Sequence, residues 1–424
     1  MDSPVPTPRL PERAGTLAAL NALLGAVAGG NPFYRRRWAH LPRGGASVGS
    51  LEEFSAAFPF TTKRDLVEDQ AQHPPYGTDR TFPFSRYTRC HQTSGTTGAP
   101  LRWLDTPESW DAMTDDWVAV LRASGVGLGD SAFFAFSFGP FLGFWLAFEA
   151  AGRMGVFSVA GGGMSSAQRA RVLREHGCTV LCCTPTYALH LAEAARKEGL
   201  DPSGFRVRTV LVAGEPGGSI PAVRERISAA WNGARVYDHH GMTETGPITH
   251  EPAGRPGDLE VLEDSFLAEV VDPTTLRPSA PGERGELVVT PLRRVASPLV
   301  RYRTGDLVLP RRIDGRLVLE GGILGRVDDM VVVRGVNVYP SALDALLREG
   351  PGIGEYRVTV DRSGALVELS IEVEGDDAQA AAAARRIQES LALRVPVRAV
   401  PEGSLPRFEL KARRWRESGG PMQR

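Results

Sequence analysis

The segment Thr93-Ser94-Gly95-Thr96-Thr97-Gly98-Ala99-Pro100 concentrates hydroxyls and glycines in one short stretch. Glycines let a backbone turn sharply and approach a ligand closely, and the amides and hydroxyls of such a loop can cradle phosphate oxygens. No Gly-Lys-Ser/Thr follows the glycines, which disfavours a Walker-type loop. On its own a Ser/Thr/Gly segment is usually only a loop. It gains weight from three motifs downstream of it, in chain order: Gly214-Glu215-Pro216, Tyr237-Asp238-His239-His240-Gly241-Met242-Thr243-Glu244 and Tyr302-Arg303-Thr304-Gly305-Asp306. Behind these come Gly325-Arg326-Val327-Asp328-Asp329, Arg334-Gly335-Val336-Asn337-Val338-Tyr339-Pro340 and Pro406-Arg407-Phe408-Glu409-Leu410-Lys411. Any one could be structural, but the ordered set is not a chance arrangement.

These motifs need a scaffold that ends strands at a common edge. From about residue 115 to 240 short apolar runs alternate with helix-like stretches, the pattern of strand-helix-strand units around a mostly parallel sheet. The runs predict strands at 131–138, 155–160, 179–183, 209–213 and 234–237, with helices starting at Ser165 or Ser166 and spanning 187–197 and 221–231. After residue 265 short strands separated by Gly, Pro and Asp, such as 285–290 and 317–320, predict a β-rich subdomain. The last hundred residues read as helix 341–347, strands 356–361 and 366–373, helix 376–393 and strand 395–400. The expected fold class is therefore α/β: a large layered N-terminal α/β domain, residues 1–325, ending in a β-rich subdomain, and a small C-terminal α+β domain, residues 326–424.

On these motifs the chain resembles the adenylate-forming superfamily of acyl-coenzyme A synthetases, adenylation domains and luciferases, over roughly residues 55–415. The short length, the segment Phe60-Thr61-Thr62-Lys63 and the form of the late motifs are most similar to its phenylacetate-coenzyme A ligase branch. The resemblance implies ATP, Mg²⁺ and coenzyme A as the molecules handled, and a carboxylate attacking the α-phosphorus of ATP. Such chemistry rests on positioning and charge neutralisation. It further implies that Thr93 to Gly98 (Ser94, Gly95, Thr96, Thr97) hold the β and γ phosphates, Thr243 the α-phosphate, and Glu244 the Mg²⁺. Asp306 would take both ribose hydroxyls. Gly214, Glu215 and Pro216 would wall one side of adenine and Tyr237, Asp238, His239 and His240, running into Gly241 and Met242, the other. Asp238 is suited to the adenine amino group. Lys411 would be the mobile catalytic lysine, Arg326 a nucleotide contact, and Asp328 the hinge of a lid that rotates between half-reactions.

The chain departs from the family pattern in places. His240 stands where many relatives have Tyr; His239 or His240 can stack, meet the substrate or titrate near neutral pH. The loop lacks the lysine common after its glycines, leaving Arg102 as a candidate phosphate cation. Some relatives in this branch carry a structural zinc in the β-rich region, but only His250 and no cysteine lies there, so none is expected. Phe134, Phe136, Phe138 and Phe141, with Phe144 and Trp145, gather around Gly139-Pro140 as an aromatic acyl-pocket wall, each ring being equally well a core residue.

The chain has 424 residues, 42% hydrophobic and 23% charged, as in a globular protein. Its 49 basic and 50 acidic residues give a net charge of -1, which supplies no field for nucleic acid or an anionic membrane. Small-molecule partners are expected. Four cysteines (Cys90, Cys178, Cys182, Cys183) are too few for a disulfide framework and fit a reducing cytoplasm. The N-terminal segment lacks the basic-then-apolar order of a signal peptide, and the apolar run 132–148 falls short of a membrane span of about 20 residues. The expected reaction is ATP-dependent activation of a carboxylic acid, aromatic by the branch resemblance, to an acyl-adenylate, then transfer to coenzyme A. Transfer to an amine, a carrier-protein thiol or an internal nucleophile is the alternative. A non-catalytic nucleotide-binding homologue is a third, opposed by the intact Glu244, Asp306 and Lys411. Oligomeric state is not marked in the chain.

Overall fold

The computed structural model describes residues 15–93, 100–280, 282–327, 331–334, 336–349, 353–362, 367–408 and 414–418. At its centre lies a five-stranded parallel sheet in the order Phe157–Ala160, Ser131–Phe134, Val180–Cys183, Thr209–Val212, Arg235–Asp238. Helices Gly143–Arg153, Ser166–Glu175, Pro185–Lys197 and Pro221–Ala230 make the crossovers. Strands 180–183 and 209–212 are buried at every position because both faces are covered. Side chains alternate between the faces: Cys182 packs with Phe134 and Tyr237, and Cys183 with Phe133 and Val212. Adjacent cysteines are thus core residues of two layers, and burial pushes the Cys182 thiol up to about 12 and the Cys183 thiol well above its ordinary value.

Several predicted boundaries shift for local reasons. The strand expected over 131–138 stops at Phe134, where the N–H of Gly161 closes the ladder on Phe134 O at 2.9 Å. A Cβ on Gly161 would sit 2.8 Å from that oxygen, so the closure needs glycine. The helix expected from Tyr187 starts at Pro185, capped by the Thr184 hydroxyl on the Tyr187 amide at 3.3 Å. Ser165 caps Ser166–Glu175 in a reciprocal box with Gln168. The apolar run 132–148, read as wall, contains the start of helix Gly143–Arg153, whose Leu146, Ala147, Ala150 and Ala151 pack with Trp117, Val120 and Leu121 of helix Pro107–Ala123.

Helices Thr16–Gly30, Pro32–Arg37, Leu51–Ala57 and Lys63–Gln72 precede the sheet and share a core with Trp103, Leu299 and Tyr302. Thr61, between the last two of them, pairs beside Tyr302: its amide donates to Arg301 O at 3.0 Å and its carbonyl accepts from the Arg303 amide at 2.9 Å. A buried bidentate pair between Arg301 and Glu269, at 3.0 and 2.9 Å, anchors the same strand from its other side. The β-rich layer holds two antiparallel sheets: Phe266–Val271, Gly285–Pro291, Tyr302–Val308, Gly325–Arg326, and Thr249–His250, Leu259–Val261, Arg316–Leu319, Pro310–Ile313. The C-terminal region has its own core around Val358, Ile371, Leu343 and Ile387. It is built on the sheet Val397–Val400, Glu368–Glu374, Tyr356–Asp361, Trp415–Glu417 and helices Pro340–Arg348 and Asp377–Leu391.

Candidate active site

Strand Arg235–Asp238 ends the parallel sheet and delivers the richest motif. Period-two alternation turns Tyr237 into the core, fully buried, with its hydroxyl donating to Glu251 O at 2.8 Å. Tyr237 is thus a support, whereas Asp238 lies on the opposite face and accepts from Ser219 Oγ at 2.6 Å. Burial raises the Asp238 carboxyl to about 6 against the Ser219 bond and the charge of Arg224. A Cβ on Gly218 would come within 2.2 Å of this carboxyl, so the segment after Gly214-Glu215-Pro216 approaches it as only glycine can. Glu215 accepts from the Thr186 amide at 2.7 Å, while Gly214 and Pro216 are exposed.

His239 packs edge-on against Trp117 at 4.3 Å between ring centroids, and neither ring nitrogen has a well-formed partner among the described residues. Burial and the neighbouring His240 push it down to about 3, so it is a neutral ring and does not titrate near neutrality. His240 faces the other way. Its Nε2 lies 3.0 Å from Asp306 Oδ2, an ion-pair separation that misses hydrogen-bond alignment.

Asp306 sits on Tyr302–Val308 beside a bulge in the pairing with Gly285–Pro291. Gly305 occupies φ +77°, which glycine adopts freely, and its amide donates to Glu286 Oε1 at 3.1 Å. The Asp306 amide donates to Thr304 Oγ1 at 3.0 Å, and Arg326 Nη1 donates to Asp306 Oδ1 at 3.0 Å. Burial opposes ionisation of this carboxyl, but His240 and Arg326 outweigh it and hold it below the usual range. Its Oδ2 is buried without a hydrogen-bond partner among the described residues.

The hairpin Gly241–Met242 and Gly246–Pro247 carries Thr243 and Glu244 in its turn. Gly246, at φ +81°, packs against Met113 of helix Pro107–Ala123. Glu244 is buried, yet among the described residues no hydrogen bond or ion pair reaches its carboxylate. A hard divalent cation fits such a group, because Mg²⁺ is typically held by one or two carboxylates together with phosphate and water oxygens. Among the described residues no cluster of three or more His, Cys, Asp or Glu could hold a metal by itself.

The strands Arg89–Gln92 and Arg102–Asp105 form the arms of the phosphate-loop candidate, closed at the base by the Thr93 amide on Leu101 O at 2.9 Å and the Leu101 amide on Thr93 Oγ1 at 3.1 Å. Ser94, Gly95, Thr96, Thr97 and Gly98 lie outside the described residues, as do Lys411, the hinge candidate Asp328, and Gly335. Arg102 is exposed, and its Nη1 donates to Pro75 O at 3.0 Å.

The aromatic strip is tied to that loop: the Gln92 amide donates to Pro140 O at 2.8 Å, and Trp145 Nε1 donates to Gly139 O at 3.0 Å. Phe134 is fully buried core and Phe136 nearly so. Rings continue outward from Phe136 to Phe138 at 5.2 Å and Phe138 to Trp145 at 4.8 Å, ending in Trp145, 36% exposed, while Phe141, 37% exposed, lies beside Gly139. Phe138 also meets Gly162, where a Cβ would lie 3.1 Å from its ring.

Sequence reasoning missed Arg294 and Asp105, a buried pair joined 189 positions apart, whose guanidinium also reaches the carbonyls of Thr243 and Glu244. The one available signal was an Arg-Arg pair one residue beyond a fully buried strand, which is no motif.

Residues 92–291 match the family described as AMP-binding enzyme, and residues 335–418 match the AMP-binding enzyme C-terminal domain. The chain is 31% identical over 432 residues to a phenylacetate-coenzyme A ligase of Thermus thermophilus, covering 95% of each protein. It superposes on a 2-hydroxyisobutyryl-CoA ligase in the postadenylation state in complex with R3-HIB-AMP, with TM-score 0.88 and 33% identity, covering 96% of this chain and 89% of that one. Against that ligase in complex with 2-HIB-AMP and CoA in the thioesterification state the TM-score is 0.71, with 33% identity over 95% of this chain and 89% of that one.

Proposed function

The chain belongs to the AMP-binding enzymes, in their phenylacetate-coenzyme A ligase-like branch, and on that premise we propose which residues carry the family's reaction here. The enzyme activates a carboxylic acid with ATP to an acyl-adenylate, releasing pyrophosphate, and transfers the acyl group to coenzyme A. A carboxylate oxygen attacks the α-phosphorus and pyrophosphate leaves with the bonding pair. The coenzyme A thiol then attacks the acyl carbon and AMP leaves.

Asp306 accepts the ribose hydroxyls, held ionised by His240 and Arg326. Asp238 reads the adenine amino group, with Gly214, Glu215 and Pro216 opposite. Thr243 meets the α-phosphate and residues 94–98 the outer phosphates. Glu244 would hold Mg²⁺, which when bound would neutralise phosphate charge. Lys411 supplies a positive charge at the α-phosphate and carboxylate during the first half-reaction, and rotation about Asp328 withdraws it. Residues 1–325 form the adenylation domain and 326–424 the lid. The similarity to a postadenylation complex, greater than to a thioesterification complex, supports reading this arrangement as that of the first half-reaction. The observation that carries the assignment is Asp306, whose buried Oδ2 has no hydrogen-bond partner among the described residues, together with Glu244, a buried residue whose carboxylate no bond among the described residues reaches.

For the acid we favour an aromatic carboxylate, stacked by Phe138, Phe141 and Trp145 beside the loop base. A short branched hydroxy acid is the second reading, because the 2-hydroxyisobutyryl-CoA ligase is as similar in sequence as the phenylacetate ligase. No helix among the described residues is long and apolar enough to cross a membrane. Four free cysteines support a cytoplasmic location. Pyrophosphate release with Mg-ATP across arylacetic, benzoic and short hydroxy acids tests the reading: turnover strongest with an aryl acid is expected, and turnover only with short aliphatic acids would overturn the aromatic assignment.

A further inference from the structure

Two segments assigned to the nucleotide phosphates meet on one side chain. Arg294 is 2% exposed and lies in the loop after strand Gly285–Pro291. Its Nε and Nη2 donate to Asp105 Oδ1 and Oδ2, both at 2.8 Å, while Nη1 donates to Thr243 O at 3.1 Å and Glu244 O at 2.5 Å. Asp105 is fully buried and ends the strand that leaves the phosphate loop, and the Trp103 ring lies under the guanidinium at 5.4 Å. The planar fork of arginine satisfies a bidentate carboxylate on one edge and two carbonyls on the other, which no other side chain does.

Fold stability alone does not call for this arrangement, since a buried ion pair is often matched or bettered by apolar residues of similar volume. What such residues could not supply is the link to the two carbonyls. Thr243 and Glu244 lie in a hairpin turn whose strands are two residues each, too short to hold the turn rigid by pairing.

We propose that Arg294 and Asp105 are positioning residues: they brace the outgoing arm of the phosphate loop against the Thr243–Glu244 turn, and so set where the Glu244 carboxylate meets Mg²⁺ and where Thr243 meets the α-phosphate. The proposal rests on the roles given above to Thr243 and Glu244. Neither Arg294 nor Asp105 touches the reacting atoms; both act through the turn.

The test uses the full chain and compares affinity for ATP with Mg²⁺ and with EDTA by calorimetry, alongside kcat and KM for pyrophosphate release. Three variants are needed: the double variant Arg294→Met with Asp105→Leu, Arg294→Lys, and Glu244→Gln. The double variant removes both charges together and is expected to melt cooperatively. Its Mg²⁺-dependent gain in ATP affinity should fall about 10-fold and its kcat about 100-fold, with KM for the acid unchanged. Arg294→Lys keeps the charge but not the fork, and should recover part of both losses. A folded double variant with an undiminished Mg²⁺ gain, while Glu244→Gln loses it, overturns the brace. If Glu244→Gln also keeps the full gain, the Glu244 role itself is wrong and the brace falls with it. Should the double variant fail to fold, Arg294→Lys decides: an unchanged ratio of affinities overturns the proposal.

Discussion

The turn proposed to handle phosphate and the contact between the proposed lid and the main body are held by very different means. Around Thr243 and Glu244 the partners are fully buried and charge-assisted, at 2.5 to 3.1 Å. Away from the Gly325–Arg326 strand, where Arg326 Nη1 donates to Asp306 Oδ1 at 3.0 Å, the hydrogen bonds between the described residues of lid and body are long: Arg414 Nη2 meets Thr186 Oγ1 at 3.5 Å, and Arg226 Nη1 meets Ile353 O at 3.4 Å. Within the lid the same Arg414 is tightly paired to Glu355, at 2.5 and 3.0 Å. Apart from that junction, short charge-assisted bonds lie inside each body and long ones between the described residues of the two, which suits the proposed lid if it pivots beside the junction while the charge-binding groups stay fixed.

Lys411→Ala should break the moving side most severely. Pyrophosphate release is expected to fall about 100- to 1000-fold, while thioester formation from supplied acyl-adenylate and coenzyme A stays near the parent rate. Equal loss of both half-reactions, measured separately, would show that the lysine does not divide its duty with lid position. On the fixed side, Asp306→Ala should weaken ATP binding about 10- to 100-fold, because a buried ionised acceptor is lost, and titration calorimetry reads it directly. Unchanged ATP affinity would remove the ribose assignment.

The fixed side also contains two buried carboxylates with opposite shifts. Asp306 is held low, whereas burial raises Asp238 to about 6. An acid whose folded pKa is raised binds its proton more tightly folded than unfolded. Its stabilising contribution is therefore fully present below the unfolded value, about 4, and is lost as pH rises through about 6. Asp238→Asn should accordingly be more stable than the parent at pH 8, by about 1 to 3 kcal/mol, with the difference shrinking as the pH falls toward 4. Melting at pH 8, 6 and 4.5 checks this; a difference independent of pH would contradict it. The smallest effect should come from Thr186→Val, which removes the hydroxyl facing Arg414. A loss under about 1 kcal/mol and less than a threefold change in the ratio of half-reaction rates is expected. A larger change would mean that the lid contact is stronger than its 3.5 Å geometry indicates.

The parts of this design that were legible in the sequence are those whose physics is local. Ser165 announces a helix start because a cap and its partner lie within a turn, whereas the Thr184 cap begins the next helix at Pro185, two residues before the expected start. Apolar runs such as 180–183 announce covered strands. Alternation along 235–238 could also have turned Tyr237 away from the nucleotide, since it lies out of phase with Asp238. The brace could not be read, because Asp105 and Arg294 carry no mutual signal until the fold brings them together. Helix Gly143–Arg153 was hidden by continuity: an apolar run has no period to distinguish a helix from a wall. The four N-terminal helices were passed over because their packing surface, around Trp103 and Tyr302, is supplied by distant segments.

The central claim is a two-step reaction through an acyl-adenylate. The most direct measurement is a single-turnover experiment with enzyme in excess of Mg-ATP and an accepted acid, quenched without coenzyme A and again after its addition, with both products followed by mass. The account predicts enzyme-bound acyl-adenylate and stoichiometric pyrophosphate before coenzyme A, then acyl-thioester and AMP. Release of ADP and phosphate, or no adenylate with any acid that supports turnover, would contradict it.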